Sequence, residues 1–275
     1  MLELPHVDLA LLRGVLRTFL AEELRASGLT GYVVGLSGGV DSAVAAALAA
    51  EAVGRECVHC LALPGPSSNP ESLEHARLVA DALSLTLDVV PIAASCEALA
   101  TALDAGRDRL RLGNIMARVR MIALFDRARA SGLLVLGTSN KSEILLGYST
   151  LFGDSASSVN PLGDVWKTSI FPLARALAVP EAVVAKPPSA DLWAGQTDAG
   201  ELGFDYLEAD PVLYWHHEHG MDRDTLVAGG FAARLVDAVL LAYRRSRFKW
   251  RPTVVARVST SCVNVDRILP RNPER

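Results

Sequence analysis

The residues best suited to chemistry form one glycine-rich run, Gly35-Leu36-Ser37-Gly38-Gly39-Val40-Asp41-Ser42. It follows an apolar, β-branched segment and precedes an alanine-rich one, so it is predicted to join a strand to a helix. Its glycines can adopt positive φ and turn successive backbone N–H groups toward a phosphate, and the dipole of the following helix favours negative charge. A carboxylate beside phosphates needs a cation between them, so Asp41 argues for Mg²⁺.

This run is not the phosphate loop of many kinases, because it lacks the lysine of the G-x-x-x-x-G-K-[ST] pattern. Its S-G-G-x-D-S pattern resembles instead the pyrophosphate loop of the N-type ATP pyrophosphatases. Those enzymes cleave ATP between the α and β phosphates and adenylate a substrate. An ordinary turn between strand and helix would explain a lone Gly-Gly pair, but not this six-residue pattern in this context. ATP is therefore the first ligand that the sequence predicts.

Further motifs resemble one family of that superfamily, the NAD synthetases. They occur in the family's order over residues 31–206, and several are found in little else. They are Gly113-Asn114-Ile115-Met116-Ala117-Arg118-Val119-Arg120-Met121, Gly137-Thr138-Ser139-Asn140-Lys141-Ser142-Glu143, Gly147-Tyr148, Gly153-Asp154, Asn160-Pro161-Leu162, Lys167-Thr168, Lys186-Pro187-Pro188-Ser189-Ala190-Asp191-Leu192-Trp193, Gln196-Thr197-Asp198 and Glu201-Leu202-Gly203. The resemblance implies ATP-dependent amidation of deamido-NAD to NAD, through an acyl-adenylate attacked by ammonia, with release of AMP and pyrophosphate.

The resemblance also implies a role for each matching position. The glycine-rich run would bind the ATP phosphates, and Mg²⁺ would be held by Asp41 and Glu143. The implied ATP-binding residues are Gly35, Leu36, Ser37, Gly38, Gly39, Val40, Asp41, Ser42, Thr138, Lys167 and Ser189. The implied deamido-NAD contacts are Asn114, Arg118, Glu143, Asp154 and Lys249. No side chain is assigned as nucleophile or general base, because positioning and charge neutralisation suffice for such chemistry.

Three positions depart from the pattern of the ammonia-dependent members. Leu151 and Ser158 stand where those members carry a lysine and an aspartate that bind the dinucleotide, and Phe248 replaces a histidine. The sequence around Leu151 is more similar to the glutamine-dependent branch, yet 275 residues leave no room for that branch's amidase domain. We therefore expect ammonia as the nitrogen source, with a separate glutaminase as a possible supplier.

Three alternatives to this function stay open from the sequence. Nicotinate mononucleotide could replace the dinucleotide as the substrate that is amidated. The chain could instead be another amidating or thiolating ATP pyrophosphatase. Finally, the departures at Leu151 and Ser158 allow a nucleotide-binding protein without catalysis, although both candidate metal ligands are retained.

The elements that must position these residues alternate between strand and helix up to about residue 145. Apolar runs predict strands over residues 32–36, 58–63, 85–92 and 133–136, separated by segments with helical periodicity. This order predicts an α/β, Rossmann-like, doubly wound parallel sheet with helices on both faces and a C-terminal helical extension. Ligands of such sheets bind beyond the carboxyl ends of the strands, where the glycine-rich run and the Thr138 segment both lie.

We expect one domain over residues 1–275, with a nucleotide-binding core over about 31–145. Mobile substrate loops would follow over about 146–206, and the helical extension over about 207–275. Members of the resembled family are homodimers with the dinucleotide in a groove at the interface, so a homodimer is expected. Two loops within residues 146–206, over about residues 147–162 and 187–202, would close over the acyl-adenylate and exclude water.

Composition excludes several other classes. A net charge of −4 gives no general attraction to nucleic acid or to an anionic membrane, and the apolar runs are too short to span a bilayer. Four cysteines and no secretory signal favour the cytoplasm. The pair Cys57 and Cys60 lies in an apolar run and is expected to be structural. The string His216-His217-Glu218-His219 is expected to be a helix end rather than a metal site, because adjacent side chains on a helix diverge.

Overall fold

The computed structural model describes residues 2–193, 195–250 and 253–260. The chain enters the fold through helix α1, Leu9–Ser27. The Asp8 carboxylate accepts hydrogen bonds from the backbone N–H groups of Ala10 and Leu11, each at 3.0 Å. Gly28 ends the helix with a φ of 70°, which a glycine adopts at little cost.

The centre of the molecule is a four-stranded sheet made of β1 (Gly31–Gly35), β2 (Val58–Ala62), β3 (Thr86–Val89) and β4 (Leu133–Leu136). The strands lie in the order β3-β2-β1-β4, and all three pairings are parallel. Tyr32 is in register with Val58 on one side and with Leu134 on the other. The predicted parallel α/β sheet is thus confirmed.

Strand β3 covers Thr86–Val89, so the strand predicted over residues 85–92 is too long. Val90 still donates its backbone N–H to the Ala62 carbonyl at 2.9 Å, but Pro91 has no N–H and cannot continue the pairing. The chain then turns into helix α4 (Ala93–Ala102), which is absent from the elements predicted from the sequence.

Helices cover both faces of the sheet, as predicted. Five of these helices are α2 (Val40–Val53), α3 (Pro70–Leu83), α4 (Ala93–Ala102), α5 (Arg109–Ser131) and α7 (Lys167–Ala176). On one face, Tyr32 and Val34 pack in a hydrophobic cluster with residues of α1, α2, α3 and α7. On the other face, Val33 and Val135 pack with residues of α4 and α5.

A third hydrophobic cluster belongs to the C-terminal half and does not include the strands. It contains Leu145, Leu213, Val236 and Leu240. Four helices contribute to it: α6 (Lys141–Leu146), α10 (Tyr206–His217), α11 (Arg223–Ala228) and α12 (Ala233–Trp250). Two short helices, α8 (Glu181–Val184) and α9 (Asp198–Leu202), lie between α7 and α10 along the chain. The predicted C-terminal helical extension is therefore present.

Within the described ranges, no helix is long and apolar enough to cross a bilayer. Cys60 is buried on β2, where burial raises the pKa of its thiol to about 12, and Cys57 is half-buried just before that strand. The ring nitrogens Nδ1 of His216 and His217 are hydrogen-bonded to the Met221 carbonyl at 2.7 Å and the Tyr243 hydroxyl at 2.8 Å. Among the described residues, no cluster of three metal-ligating side chains is present. Cys262 lies outside the described residues.

Candidate functional site

The glycine-rich run forms the loop between β1 and α2. Gly38 has a φ of +78°, and a Cβ added there would lie 2.2 Å from the Ser72 carbonyl oxygen, so only glycine fits. The Ser42 hydroxyl folds the loop onto itself: it accepts from the Ser37 N–H at 3.2 Å and donates to the Gly39 carbonyl at 3.0 Å. The loop therefore has a defined shape ahead of the helix N-terminus.

This loop opens into a large cavity beyond the carboxyl ends of β1, β2 and β4. Its volume is about 980 Å³, within the range of nucleotide-sized ligand sites. Most of the predicted site residues line it: Gly35, Leu36, Ser37, Gly39, Val40, Asp41, Ser42, Asn114, Thr138, Glu143, Asp154, Lys167, Ser189 and Lys249. Gly38 is buried against Ser72 and His75 of α3, and Arg118 is exposed outside this lining.

Lys167 occupies the middle of the charged part of this cavity. It begins α7, and its side chain is only 2% exposed. Its ammonium is ion-paired with the Asp41 carboxylate and lies 3.3 Å from a carboxylate oxygen of Glu143. These two negative charges raise the pKa of Lys167 against the opposing effect of burial, so the side chain stays cationic.

Asn140 connects the two carboxylates that face Lys167. The side chain of this fully buried residue donates to Asp41 at 2.9 Å, and its oxygen accepts from the Glu143 N–H at 3.0 Å. In return, the Glu143 carboxylate accepts from the Asn140 N–H at 3.2 Å, which completes a capping box at the start of α6. Both carboxylates are thus fixed toward one point.

Burial dominates the electrostatics of Glu143. Loss of solvent raises its pKa to about 8, although the Lys167 ammonium acts in the opposite direction. Asp198 also lies near this ammonium; burial raises its pKa, and its carboxylate accepts from the Tyr206 hydroxyl at 2.9 Å. The cavity therefore concentrates carboxyl groups around one buried cation, and a bound metal ion would favour their ionised forms.

The Asp41 and Glu143 oxygens are hard ligands of the kind that Mg²⁺ prefers. Both contact the same ammonium, so they face one common space. Their side chains keep 17% and 16% exposure, so an ion can reach them from the cavity. The donor set fits the metal that the sequence predicts.

Another part of the cavity contains three of the predicted dinucleotide contacts. The Asn114 side chain, on α5, accepts from the Thr150 hydroxyl at 2.8 Å. Asp154 accepts from the Thr150 backbone N–H at 2.8 Å. Lys249, near the end of α12, donates to the carbonyl oxygens of Gly147 at 2.7 Å and Ser149 at 2.6 Å. These contacts shape the segment that follows α6 into one wall of the cavity.

The remaining predicted contact and all three departures lie outside the cavity lining. Arg118 is exposed on α5 and donates to the Leu151 carbonyl at 3.1 Å. The Ser158 hydroxyl accepts from the Val135 N–H at 3.3 Å, while Phe248 is 65% exposed. Within this chain, Arg118 therefore does not meet the other predicted ligands.

Sequence analysis missed several side chains that contribute to this site. They are Asn140, which bridges the carboxylates, Asp198 near Lys167, and Arg120 and Lys186 on the cavity wall. Asn140 with Glu143 had a recognisable N-x-x-E capping signal. Arg120 stands in the same motif as Arg118, but only the packing of α5 on the sheet shows which arginine faces inward.

Comparison with known proteins gives consistent relatives. The family model described as NAD synthase matches residues 13–253. The chain is 45% identical to the NH(3)-dependent NAD(+) synthetase of Chlorobaculum tepidum, covering 95% of this chain and 94% of that protein. It is 46% identical to the protein of the same name from Trichlorobacter lovleyi, covering 95% of each chain.

Solved structures agree with this assignment. The NMN synthetase of Francisella tularensis superposes with a TM-score of 0.80 at 29% identity, covering 93% of this chain and 100% of that one. The NH3-dependent NAD synthetase of Campylobacter jejuni gives 0.78 at 29%, covering 92% and 100%. A glutamine-dependent NAD+ synthetase from Acinetobacter baumannii gives 0.70 at 27%, covering 99% of this chain and 52% of that longer chain. The chain thus belongs to the NAD synthase family.

Proposed function

We propose that this protein catalyses the ATP-dependent amidation of deamido-NAD to NAD, with ammonia as the nitrogen donor. The observation that supports it most is the single cavity that joins the glycine-rich loop, the Lys167 cluster and the segment carrying Asn114 and Asp154. A chain of this family needs such a cavity, because ATP and the second substrate must react with each other inside it.

The reaction has two steps. The nicotinate carboxylate attacks the α-phosphorus of ATP, which forms an acyl-adenylate and expels pyrophosphate. Ammonia then attacks the activated carbonyl, and AMP leaves. The glycine-rich loop, Thr138 and Ser189 hold ATP, while Lys167 neutralises phosphate charge. The chain supplies orientation and electrostatic stabilisation rather than a nucleophile.

Mg²⁺ completes this proposal, held by Asp41 and Glu143. When bound, it neutralises the phosphates and makes pyrophosphate a better leaving group. The Lys167 ammonium contacts both carboxylates, so it would share with Mg²⁺ the neutralisation of the negative charge around ATP. Asn140 keeps Asp41 and Glu143 in place, since it is hydrogen-bonded to both.

A homodimer is the proposed assembly, and the exposed face of α5 supports it. Ile122 is 57% exposed and Phe125 38% exposed, and both share a helical face with Arg118. Pairing through this face would place Arg118 at an interface groove, where a dinucleotide could reach it. Sedimentation of the wild type and of Ile122→Glu tests the assembly; a monomeric wild type contradicts it.

One experiment tests the reaction. Purified protein is incubated with ATP, Mg²⁺, ammonium and either deamido-NAD or nicotinate mononucleotide, and amide, AMP and pyrophosphate are quantified. We expect amide from deamido-NAD with equal amounts of AMP and pyrophosphate. Stoichiometric ADP would exclude adenylation. The mononucleotide is a second candidate substrate, because the Francisella tularensis NMN synthetase shares this fold at 29% identity.

A further inference from the structure

Arg120 is a cationic side chain of the cavity wall that the reaction scheme above does not use. It lies on α5 and faces the loop after β2, and burial lowers the pKa of its guanidinium. No carboxylate of the described residues forms a salt bridge with it. A buried charge without such a partner costs stability, so a purely structural tie would be made more cheaply by a neutral side chain.

The guanidinium of Arg120 holds both ends of the loop over residues 63–68. Its Nε donates to the Leu63 carbonyl at 3.2 Å, and its Nη2 donates to the Ser68 hydroxyl at 3.0 Å. The same hydroxyl accepts from the Gly65 N–H at 3.0 Å, so the loop is closed around it. A Cβ on Gly65 would lie 2.1 Å from the Met116 sulfur, which shows how closely this loop packs on α5.

That loop and the start of α3 in turn hold the segment over residues 186–193, which carries Ser189. From the loop, the Ser67 hydroxyl donates to the Leu192 carbonyl at 2.7 Å. At the start of α3, the Asn69 backbone N–H donates to the Asp191 carboxylate at 3.0 Å. The Lys186 ammonium donates to the Ser72 hydroxyl of α3 at 3.0 Å. Three hydrogen bonds between residues 67–72 and the segment therefore hold it against the cavity.

Charge links Arg120 to the same segment. Burial lowers the pKa of the Arg120 guanidinium, and the charge of Asp191 opposes this lowering, with a smaller effect from Asp154. Arg120 therefore acts on the segment twice, through the hydrogen-bonded loop and through attraction to Asp191. Only a cation can do both, which accounts for an arginine at a site that burial makes costly.

We propose that Arg120 is a positioning residue that holds the segment over residues 186–193 closed, and so places Ser189 at the ATP phosphates. This inference deepens the proposed function, on which its kinetic part rests. Arg120 acts through the loop after β2 and need not touch ATP. Replacement of Arg120 should slow the ATP-dependent adenylation step. It should not change the structure of residues 137–140, the loop between β4 and α6.

Hydrogen exchange and steady-state kinetics of Arg120→Gln and Arg120→Lys test this role. In Arg120→Gln we expect faster amide exchange at residues 189–193 and about a tenfold or greater loss of kcat/KM for ATP. Arg120→Lys should restore the attraction to Asp191 but not the two-ended hydrogen bonding, giving an intermediate loss. Coupling between Arg120→Gln and Asp191→Asn should be non-additive, since the two residues act together.

Arg111→Gln is the matched control. Arg111 is also on α5 and also donates to two loop carbonyls, those of Leu103 at 2.8 Å and Asp104 at 2.9 Å, but it does not line the cavity. This variant should keep wild-type exchange at residues 189–193 and wild-type kinetics. If Arg120→Gln does not fold, two milder variants keep the guanidinium itself: Ser68→Ala removes the acceptor of the Arg120 Nη2 hydrogen bond, and Asp191→Asn removes the charge that attracts Arg120.

The outcomes separate this inference from the proposed function. Unchanged exchange at residues 189–193 in Arg120→Gln overturns the inference, as does equal loosening in Arg111→Gln. An inactive wild type whose segment nevertheless loosens in Arg120→Gln would reject the proposed function and keep the positioning role. In Arg120→Gln, kcat/KM could fall equally for ATP and for deamido-NAD while exchange at residues 189–193 stays unchanged. That result would also reject the positioning role of Arg120.

Discussion

Replacing Lys167 with methionine is the sharpest perturbation of the buried charge cluster. Methionine is similar in length but carries no charge, so Asp41 and Glu143 would face each other without a cation. At 3.3 Å the attraction between the Lys167 ammonium and Glu143 is about 5 kcal/mol, taking an effective dielectric constant of about 20. Methionine also avoids the cost of burying an ammonium, which offsets part of this lost attraction. Removing one partner of a buried ion pair therefore typically costs about 3–5 kcal/mol of unfolding free energy.

The expected loss in unfolding free energy is therefore about 3 kcal/mol near pH 8. It should be smaller near pH 6, because Glu143 has a raised pKa and without Lys167 will hold a proton more readily still. Addition of MgCl₂ should restore part of the loss, about 1.4 kcal/mol at a concentration ten times the dissociation constant. Wild-type protein should gain less from Mg²⁺ alone, because its ammonium already occupies the space between the carboxylates.

Urea unfolding at both pH values, with and without MgCl₂, measures these changes. Arg175→Met is the matched control: it lies on the same helix and its ion pair with Glu181 is exposed, so only a small change is expected. A loss of less than about 1 kcal/mol in Lys167→Met would mean that the pair behaves like a surface pair. An equal gain from Mg²⁺ in both proteins would refute the shared site.

Three further outcomes follow from the same site. Asp41→Asn should keep the fold but reduce kcat to less than about a tenth of wild type at millimolar Mg²⁺, and a higher rate in a kinetic assay would show that Asp41 is not a primary ligand. The folded-state pKa of Glu143 is raised to about 8, so its contribution to stability is lost as pH rises from about 4.5 through 8. Glu143→Gln should lack this decline in unfolding free energy, which urea unfolding at several pH values measures. The same pH dependence in wild type and variant would contradict the raised pKa. With ammonium as donor, the apparent KM for total ammonium should fall as pH rises toward about 9, and glutamine should give little product; comparable kcat/KM for glutamine with homogeneous, ammonia-free protein would refute this.

Much of the fold was predictable because its strands are short apolar runs bounded by glycine or proline. Residues 133–136 form β4 as predicted, and the glycine-rich loop lies between β1 and α2 as expected. Helix α4 was missed because its sequence, AASCEALATA, has few polar residues to mark an exposed face. Helix α10 contains Pro211, which argues against a helix unless its capping box with Asp205 and Glu208 is recognised.

The candidate site was predictable only in part. Local sequence identifies the phosphate loop, because its function depends on backbone geometry within eight residues. The meeting of Lys167 with Asp41 joins positions 126 residues apart and depends on the packing of α7 against α2. The inward direction of Arg120 and the outward direction of Arg118 follow from how α5 rests on the sheet. The roles of these residues in ligand binding stay predictions, as does the division of the chain near residues 145 and 206.

The separate hydrophobic cluster of α6, α10, α11 and α12 has a consequence for the lifetime of the protein. These helices share few apolar contacts with the sheet, so they can melt before it, and thermal unfolding of the free protein should show two transitions. Lys249 ties α12 to the cavity wall, and a ligand in the cavity would touch both parts. Bound nucleotides should merge the two transitions into one and slow proteolysis, so that substrate supply would regulate how much of this protein a cell retains.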